Sequence, residues 1–235
     1  YPPRLRGGIL STMTDYTCPP KAIVFDMDGL LVDSERLWKV AETALLEARG
    51  KEYSEAKHAP FIGMGLAQFL PNIKRVYELD DDVATLETEL IERIMGIVAT
   101  DTAPQPGAYE IVDWVIEQKI PHGIASSSPL SLIHATIGSQ EKWAGGFTVR
   151  ASAEEVPLGK PAPDVYLLAA ERMGVAPTDC MAFEDSPNGA RAAVAAGMTC
   201  FAVPDLTHTT REAFEGVTPY IFDSLHEVLA ILREC

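Results

Sequence analysis

No apolar run in the 235-residue chain approaches the roughly 20 residues that a membrane-spanning helix needs, so no membrane association is expected. Basic residues are scarce: 19 Lys and Arg stand against 34 Asp and Glu, for a formal charge of -15. Affinity for a polyphosphate backbone rests on clustered Lys and Arg, which excludes nucleic acid as the main partner. A small anionic substrate stays compatible, because screening over about 8 Å lets one local cation dominate a site within an acidic protein. Cysteine is sparse too. Cys18, Cys180, Cys200 and Cys235 form no CxxC or Cys/His cluster, and the expectation is four reduced thiols in a cytoplasmic protein, with Cys180 and Cys200 as small core hydrophobes. His58, His122, His134, His208 and His226 match no metal-ligand spacing. The opening YPPRLRGGILSTMTDYTCPP lacks the apolar stretch of a signal peptide; Met13 reads as a natural start and residues 1–18 as an N-terminal extension without a part in mechanism.

What the chain does contain is a rhythm of short apolar runs: AIVF (22–25), HGIA (122–125), FTV (147–149), CMAF (180–183), TCFAV (199–203) and YIF (220–222). Helical patterns lie between most of them, at 107–118, 129–138, 162–174, 187–196 and 224–233. The last of these starts at Asp223 or Ser224 as N-cap and carries Leu225, Val228, Leu229 and Leu232 on one stripe. Strands alternating with helices predict an α/β fold, a doubly wound parallel sheet of Rossmann-like type. The first two strands are separated by far more than one crossover helix. Leu37, Val40, Ala41, Ala44, Leu45 and Ala48 recur at helical spacing, and 80–99 repeats the pattern. The reading is an inserted α-helical domain over 35–104, hinged near Ser34–Glu35 and at Pro104–Gly107, within a core made of 19–34 and 105–235.

Three predicted strands end in polar residues: Asp26 after IVF, Ser126 after GIA, and Glu184 with Asp185 after MAF. Ligands of open parallel sheets bind in the crevice at such carboxyl ends. Two carboxylates at one buried strand tip, as in FDMDG, repel each other unless a cation lies between them. Phosphoryl transfer suits these groups. Asp26 is the candidate nucleophile, able to form an aspartyl phosphate. Mg²⁺, a hard ion, would lie between Asp26, the backbone carbonyl of Asp28 and Asp185, with Glu184 acting through water. Lys160 and Ser126 would orient phosphoryl oxygens, help worth roughly 3 kcal/mol per donor elsewhere. The Asp28 carboxyl would protonate the leaving oxygen and later deprotonate water. Gly29 allows the sharp exit from the strand.

These residues resemble a known family. DMDGLLVDSE, IASSS, GKPAPD and FEDSPNGARAAVAAGM are similar, in order and spacing, to the four signatures of the haloacid dehalogenase-like superfamily, in its helical-cap branch of sugar-phosphate phosphatases and β-phosphoglucomutase-like enzymes. The resemblance spans nearly all of residues 21–225 and implies the family roles at Asp26, Asp28, Ser126, Lys160, Glu184 and Asp185. The second aspartate implies phosphate esters, since dehalogenases of this fold lack it. A hydrolase of small phosphomonoesters follows, with a sugar phosphate as the expected substrate and a monomer or weak dimer as the expected assembly.

Plainer readings apply to each piece alone. Asp26 and Asp28 could form a turn, Ser127 or Ser128 could cap the helix after Pro129, Lys160 could be solvated, and Asp164 reads as first-turn helix stabilisation. Specificity belongs to the cap, where HAPFIGMGL (58–66) is expected to turn toward the cleft with Gly63 and Gly65 allowing close approach. His58, Met64, Ser127 and Asn188 are the candidate substrate contacts, though Asn188 and Gly189 also shape the loop after the acidic pair. β-Phosphoglucomutases hold a second phosphate with an arginine in this region. Met64 and Leu66 offer nothing comparable, but Lys74 and Arg75 could, which keeps a mutase as the alternative.

Overall fold

The computed structural model describes residues 16–61, 64–143, 145–206 and 209–235. Met13 and the twelve residues before it, with Gly63 and His208, lie outside that set. In chain order the elements are β1 (Ala22–Phe25), β2 (Val32–Asp33), α1 (Glu35–Glu47), α2 (Glu55–His58), α3 (Leu66–Tyr77), α4 (Val83–Asp101), β3 (Ala103–Pro104), α5 (Ala108–Glu117) and β4 (His122–Ser126). They continue with α6 (Leu130–Ser139), β5 (Val149–Ser152), α7 (Asp164–Met173), β6 (Cys180–Glu184), α8 (Pro187–Ala195), β7 (Thr199–Ala202), β8 (Tyr220–Ile221) and α9 (Leu225–Leu232).

Six strands form a parallel sheet in the order β5-β4-β1-β6-β7-β8. Winding runs outward from β1 to β5 on one side and from β6 to β8 on the other, so the switch point lies beside β1. Phe25 pairs in register with Ile124 and Phe183, so Asp26, Ser126 and Glu184 come together at one edge of the sheet, where β1, β4 and β6 end. Residue size alternates along the strands. Ile23, Phe25, Met181, Phe183 and Phe201 pack on one face against α5 and α9, whereas Ala22, Val24, Cys180, Ala182, Cys200 and Ala202 face α7 and α8. Small side chains on that second face let the alanine-rich α8 approach closely. The predicted strand at 147–149 instead spans Val149–Ser152, with Phe147 buried in the core before it. Ser224 is the N-cap of α9, accepting from the Glu227 N–H.

The helical block forms its own apolar cluster from α1, α3 and α4, including Leu37, Leu45, Leu70, Leu86 and Leu90, with Leu132 of α6 joining it. Asp82 caps α4 through the Thr85 N–H, and the Arg49 guanidinium binds Asp81 at 2.8 Å and Glu89 at 2.7 Å. The chain leaves and re-enters the sheet through β2 and β3, which pair antiparallel with Val32 opposite Pro104 and Asp33 opposite Ala103. The sequence showed no sign of this ribbon, because two residues are too few for a periodic pattern.

The expectation of four reduced thiols is corrected. Cys18 and Cys235 are joined as a disulfide with Cα atoms 5.5 Å apart, while Cys180 and Cys200 are free and buried. A separation of 217 residues hides such a pair from spacing arguments, because only the fold carries the start of β1 and the end of α9 to one place. The bond also removes the cysteine-based argument for a reducing compartment. Tyr16 packs edge-on against Phe201 and Tyr220, so residues 16–18 of the expected extension lie on the core. No helix among the described residues is long and apolar enough to cross a membrane.

Candidate active site

The carboxyl end of β1 turns sharply: the N–H groups of Leu31 and Val32 both donate to the Met27 carbonyl, at 3.0 and 3.1 Å. Gly29 sits at φ 86°, and a Cβ there would collide with the Asp185 carboxylate. Glycine is required for both reasons, the backbone angle and the approach of the carboxylate. Its expected role as a permissive exit is thereby extended.

Asp26 is 5% exposed, and its Oδ1 accepts from Lys160 Nζ at 2.5 Å. The same ammonium donates to Glu184 Oε1 at 2.6 Å, and Glu184 is fully buried. Its Oε1 also accepts from the Tyr166 hydroxyl at 2.6 Å, and its Oε2 from the Ser186 N–H and hydroxyl at 3.2 and 3.1 Å. Glu184 thus anchors Lys160 as firmly as it faces the site. The Tyr166 ring stands 5.1 Å from the ammonium, adding a cation–π contact. Gly189, on the first turn of α8, leaves room for Glu184: a Cβ at that position would occupy the space of the carboxylate.

One oxygen each from Asp26, Glu184 and Asp185 lies within 4.8 Å of the others, a spacing that could hold one cation. The Asp28 side chain is not in this group. Its Oδ2 accepts instead from the hydroxyls of Ser126 at 2.9 Å and Ser128 at 2.8 Å. Ser128 therefore does not cap α6; the Leu130 N–H takes Glu154 Oε1 at 3.0 Å. Sequence reasoning missed Ser128, Tyr166 and Ser186. Tyr166 reads as a core aromatic on its helical stripe, and a serine's partner is set by the turn it occupies.

Three carboxylates, Asp26 and Glu184 buried and Asp185 half-buried, stand against one ammonium and leave an excess of negative charge. Burial first, then Glu184 and Asp28, push Asp26 up to about 8 against the pull of Lys160. Burial, followed by Asp26 and Glu184, raises Asp185 well above the ordinary carboxylate range. Burial alone would lower Lys160, but Asp26 and Glu184 outweigh it and hold the ammonium above its usual range. A hard divalent ion fits this donor set, since all the candidate ligands are oxygens and the charge is under-compensated.

Above the strand ends lies a cavity of about 690 Å³. Asp26, Asp28, Lys160 and Asp185 line its floor, and the four expected substrate contacts, His58, Met64, Ser127 and Asn188, all border it. Asn188 Oδ1 accepts from Arg191 at 3.1 Å, which turns the oxygen away on the helix surface. Ser126 is bound to Asp28 and fully buried below this surface. The helical wall adds residues that the sequence reading did not name, chiefly Glu35, Trp38, Lys39, Glu42 and Tyr53. Spacing of i, i+3, i+4 and i+7 from Glu35 places four of them on one face of α1, a signal that was available. Lys74 and Arg75 do not line the cavity. Lys74 Nζ donates to the carbonyls of Leu79 at 2.9 Å, Asp80 at 3.1 Å and Asp81, closing the end of α3, and Arg75 donates to Asn72 at 3.3 Å. Neither replaces the distal cation of a mutase.

Comparison with known proteins agrees with this geometry. The chain is 36% identical over 190 residues to the probable pseudouridine-5'-phosphatase of Drosophila melanogaster, covering 77% of this chain and 80% of that one. It is 35% identical over 188 residues to hexitol phosphatase B of Escherichia coli K12, covering 78% and 83%. The crystal structure of CbbY from Rhodobacter sphaeroides in complex with phosphate superposes with a TM-score of 0.81 at 27% identity, covering 91% and 99%. The family model described as haloacid dehalogenase-like hydrolase matches residues 20–197, and with its strand-tip carboxylates in place the chain belongs to that family.

Proposed function

We propose that the protein is a Mg²⁺-dependent phosphatase that hydrolyses a small phosphomonoester, a sugar phosphate, through an aspartyl-phosphate intermediate. The observation that carries this reading is the cluster of buried Asp26, Lys160 and Glu184 with half-buried Asp185 under a cavity large enough for a sugar monophosphate. Relatives named as pseudouridine-5'-phosphatase and hexitol phosphatase support the same substrate class.

Asp26 attacks phosphorus through the oxygen that Lys160 leaves free. Lys160, held by Glu184, keeps that carboxylate oriented and offers its charge to the phosphoryl group. Asp28 starts bound to Ser126 and Ser128. As a phosphoryl oxygen takes the Ser126 hydroxyl, one of those bonds is given up, and Asp28 can donate its proton to the leaving oxygen. It recovers the proton from the water that attacks the aspartyl phosphate, which restores Asp26. Asp26, Asp185 and the Asp28 carbonyl would hold Mg²⁺, with Glu184 behind them, and the ion would supply positive charge to the phosphoryl oxygens. In this reading residues 35–104 act as a cap that turns on the β2/β3 ribbon and excludes water, and 19–34 with 105–235 form the catalytic core.

The mutase alternative needs a distal cation to retain a bisphosphate, and Lys74 and Arg75 are committed elsewhere. Phosphate release from 4-nitrophenyl phosphate and a panel of sugar monophosphates, with Mg²⁺ and with EDTA, tests the proposal. Release is expected only with the ion, and Asp26→Asn is expected to reduce it at least about a thousandfold with circular dichroism unchanged. Activity retained in Asp26→Asn would remove this mechanism.

A further inference from the structure

The helical wall of the cavity carries an arrangement that the chemistry at the floor does not use. His58 is 2% exposed and lines the cavity, stacked on Tyr53 with ring centroids 4.2 Å apart. Its Nδ1 lies 2.9 Å from the Tyr77 hydroxyl, which in turn accepts from the Ser54 N–H at 2.9 Å. The Ser54 carbonyl lies 3.3 Å from the Tyr77 hydroxyl and 3.4 Å from Nδ1, so Nδ1 is engaged on this side of the ring and Nε2 is the nitrogen beside Glu42. That Nε2 stands 3.2 Å from Glu42 Oε2 but off the line of a hydrogen bond, and it has no hydrogen-bond partner among the described residues. The contact without an aligned hydrogen bond leaves both the ring nitrogen and the carboxylate with unused hydrogen-bonding capacity at the cavity wall.

We infer that Glu42 and His58 form a specificity-determining pair that reads a hydroxyl of a neutral, polyhydroxylated leaving group. A sugar hydroxyl, donor and acceptor in one group, can donate to the Glu42 carboxylate and bond the adjacent ring nitrogen at once. A protonated amine has no lone pair to offer the ring, and an ionised second phosphate is repelled by the carboxylate. Charge points the same way: Glu35, Glu42, Glu55 and Asp205 surround this end of the cavity, and Lys39, the cation beside them, is paired with Glu55 at 2.5 Å. The aromatic faces of Trp38, Tyr53 and Phe69 border the same space and suit the C–H surface of a sugar or sugar alcohol. The pair therefore sorts substrates toward polyol and sugar monophosphates and away from bisphosphates.

The inference rests on the phosphatase reading above, and one experiment separates the two. Steady-state kinetics of the full chain with Mg²⁺ are measured on a hexitol monophosphate and on 4-nitrophenyl phosphate, whose leaving group has no sugar hydroxyls. Glu42→Gln keeps the size of a partly buried side chain and is expected to retain the fold. For Glu42→Gln, the ratio of kcat/KM on the hexitol ester to that on the aryl ester is expected to fall roughly tenfold to a hundredfold, mainly through KM. A fall of less than about tenfold overturns the pair, and so does a wild-type protein that turns over the aryl ester but not the hexitol ester. A wild-type protein that releases phosphate from neither ester overturns the phosphatase reading itself.

Discussion

The floor and the helical wall of one cavity are both rich in carboxylates, yet they are built on opposite plans. At the floor, Lys160 binds both Asp26 and Glu184, and the tips of two neighbouring parallel strands hold those carboxylates in place. On the wall, Glu35 and Glu42 project from α1, and His58 holds one ring nitrogen beside Glu42 without an aligned hydrogen bond. A closed network fixes the positions of reacting groups, and an incomplete one waits for a ligand. Glu35 shows the tension between the two. Burial first, then Asp28 and Glu42, push it up to about 7, so it carries the electrostatic influence of floor and wall together.

The largest effect that could break this contrast comes from Lys160. Lys160→Met leaves Asp26 and Glu184 without their shared ammonium. Phosphate release is expected to fall at least about a hundredfold on every ester alike, measured as kcat/KM on aryl and sugar phosphates. A loss confined to sugar esters would make the floor a specificity device and erase the distinction.

A second, smaller effect concerns charge balance. An aspartate whose folded pKa is raised from about 3.8 to about 8 favours the folded state least when it is ionised, so the metal-free protein loses stability as pH rises through that window. Mg²⁺ bound to the ionised group, as proposed, would offset the loss. The rise in Tm on adding Mg²⁺ is expected to be greater at pH 8 than at pH 5, by thermal denaturation with EDTA as the reference. An equal rise at both values would place the ion away from Asp26.

Much of the floor was legible in the sequence because a strand tip is local. Asp26, Ser126, Glu184 and Asp185 each follow an apolar run, and parallel pairing carries the run ends to one edge. The wall was less so. The period of α1 marks which residues share a face but not what that face meets, and Glu42 acquires its neighbour only when α2 folds against α1. Tyr166 and Ser128 escaped for a related reason, since their hydroxyl partners come from other elements. The helix spans of the core were read to within about two residues, whereas β5 was misplaced because Phe147 and Thr148 precede its ladder without joining it.

The smallest effect belongs far from both regions. Cys18→Ser opens the link between the chain ends and is expected to lower Tm by roughly a few degrees while kcat/KM stays within about twofold, by differential scanning fluorimetry beside the phosphatase assay. A large loss of activity would couple the termini to the floor and make the contrast between floor and wall incomplete.

Gly189 contributes no acid, base or charge, yet the Glu184 carboxylate fills the volume that any larger residue would claim there. A mutational survey of this gene would therefore return a null phenotype at a position that an inventory of reactive groups passes over. Anyone transplanting the site into another scaffold has to carry the vacant volume along with the carboxylates.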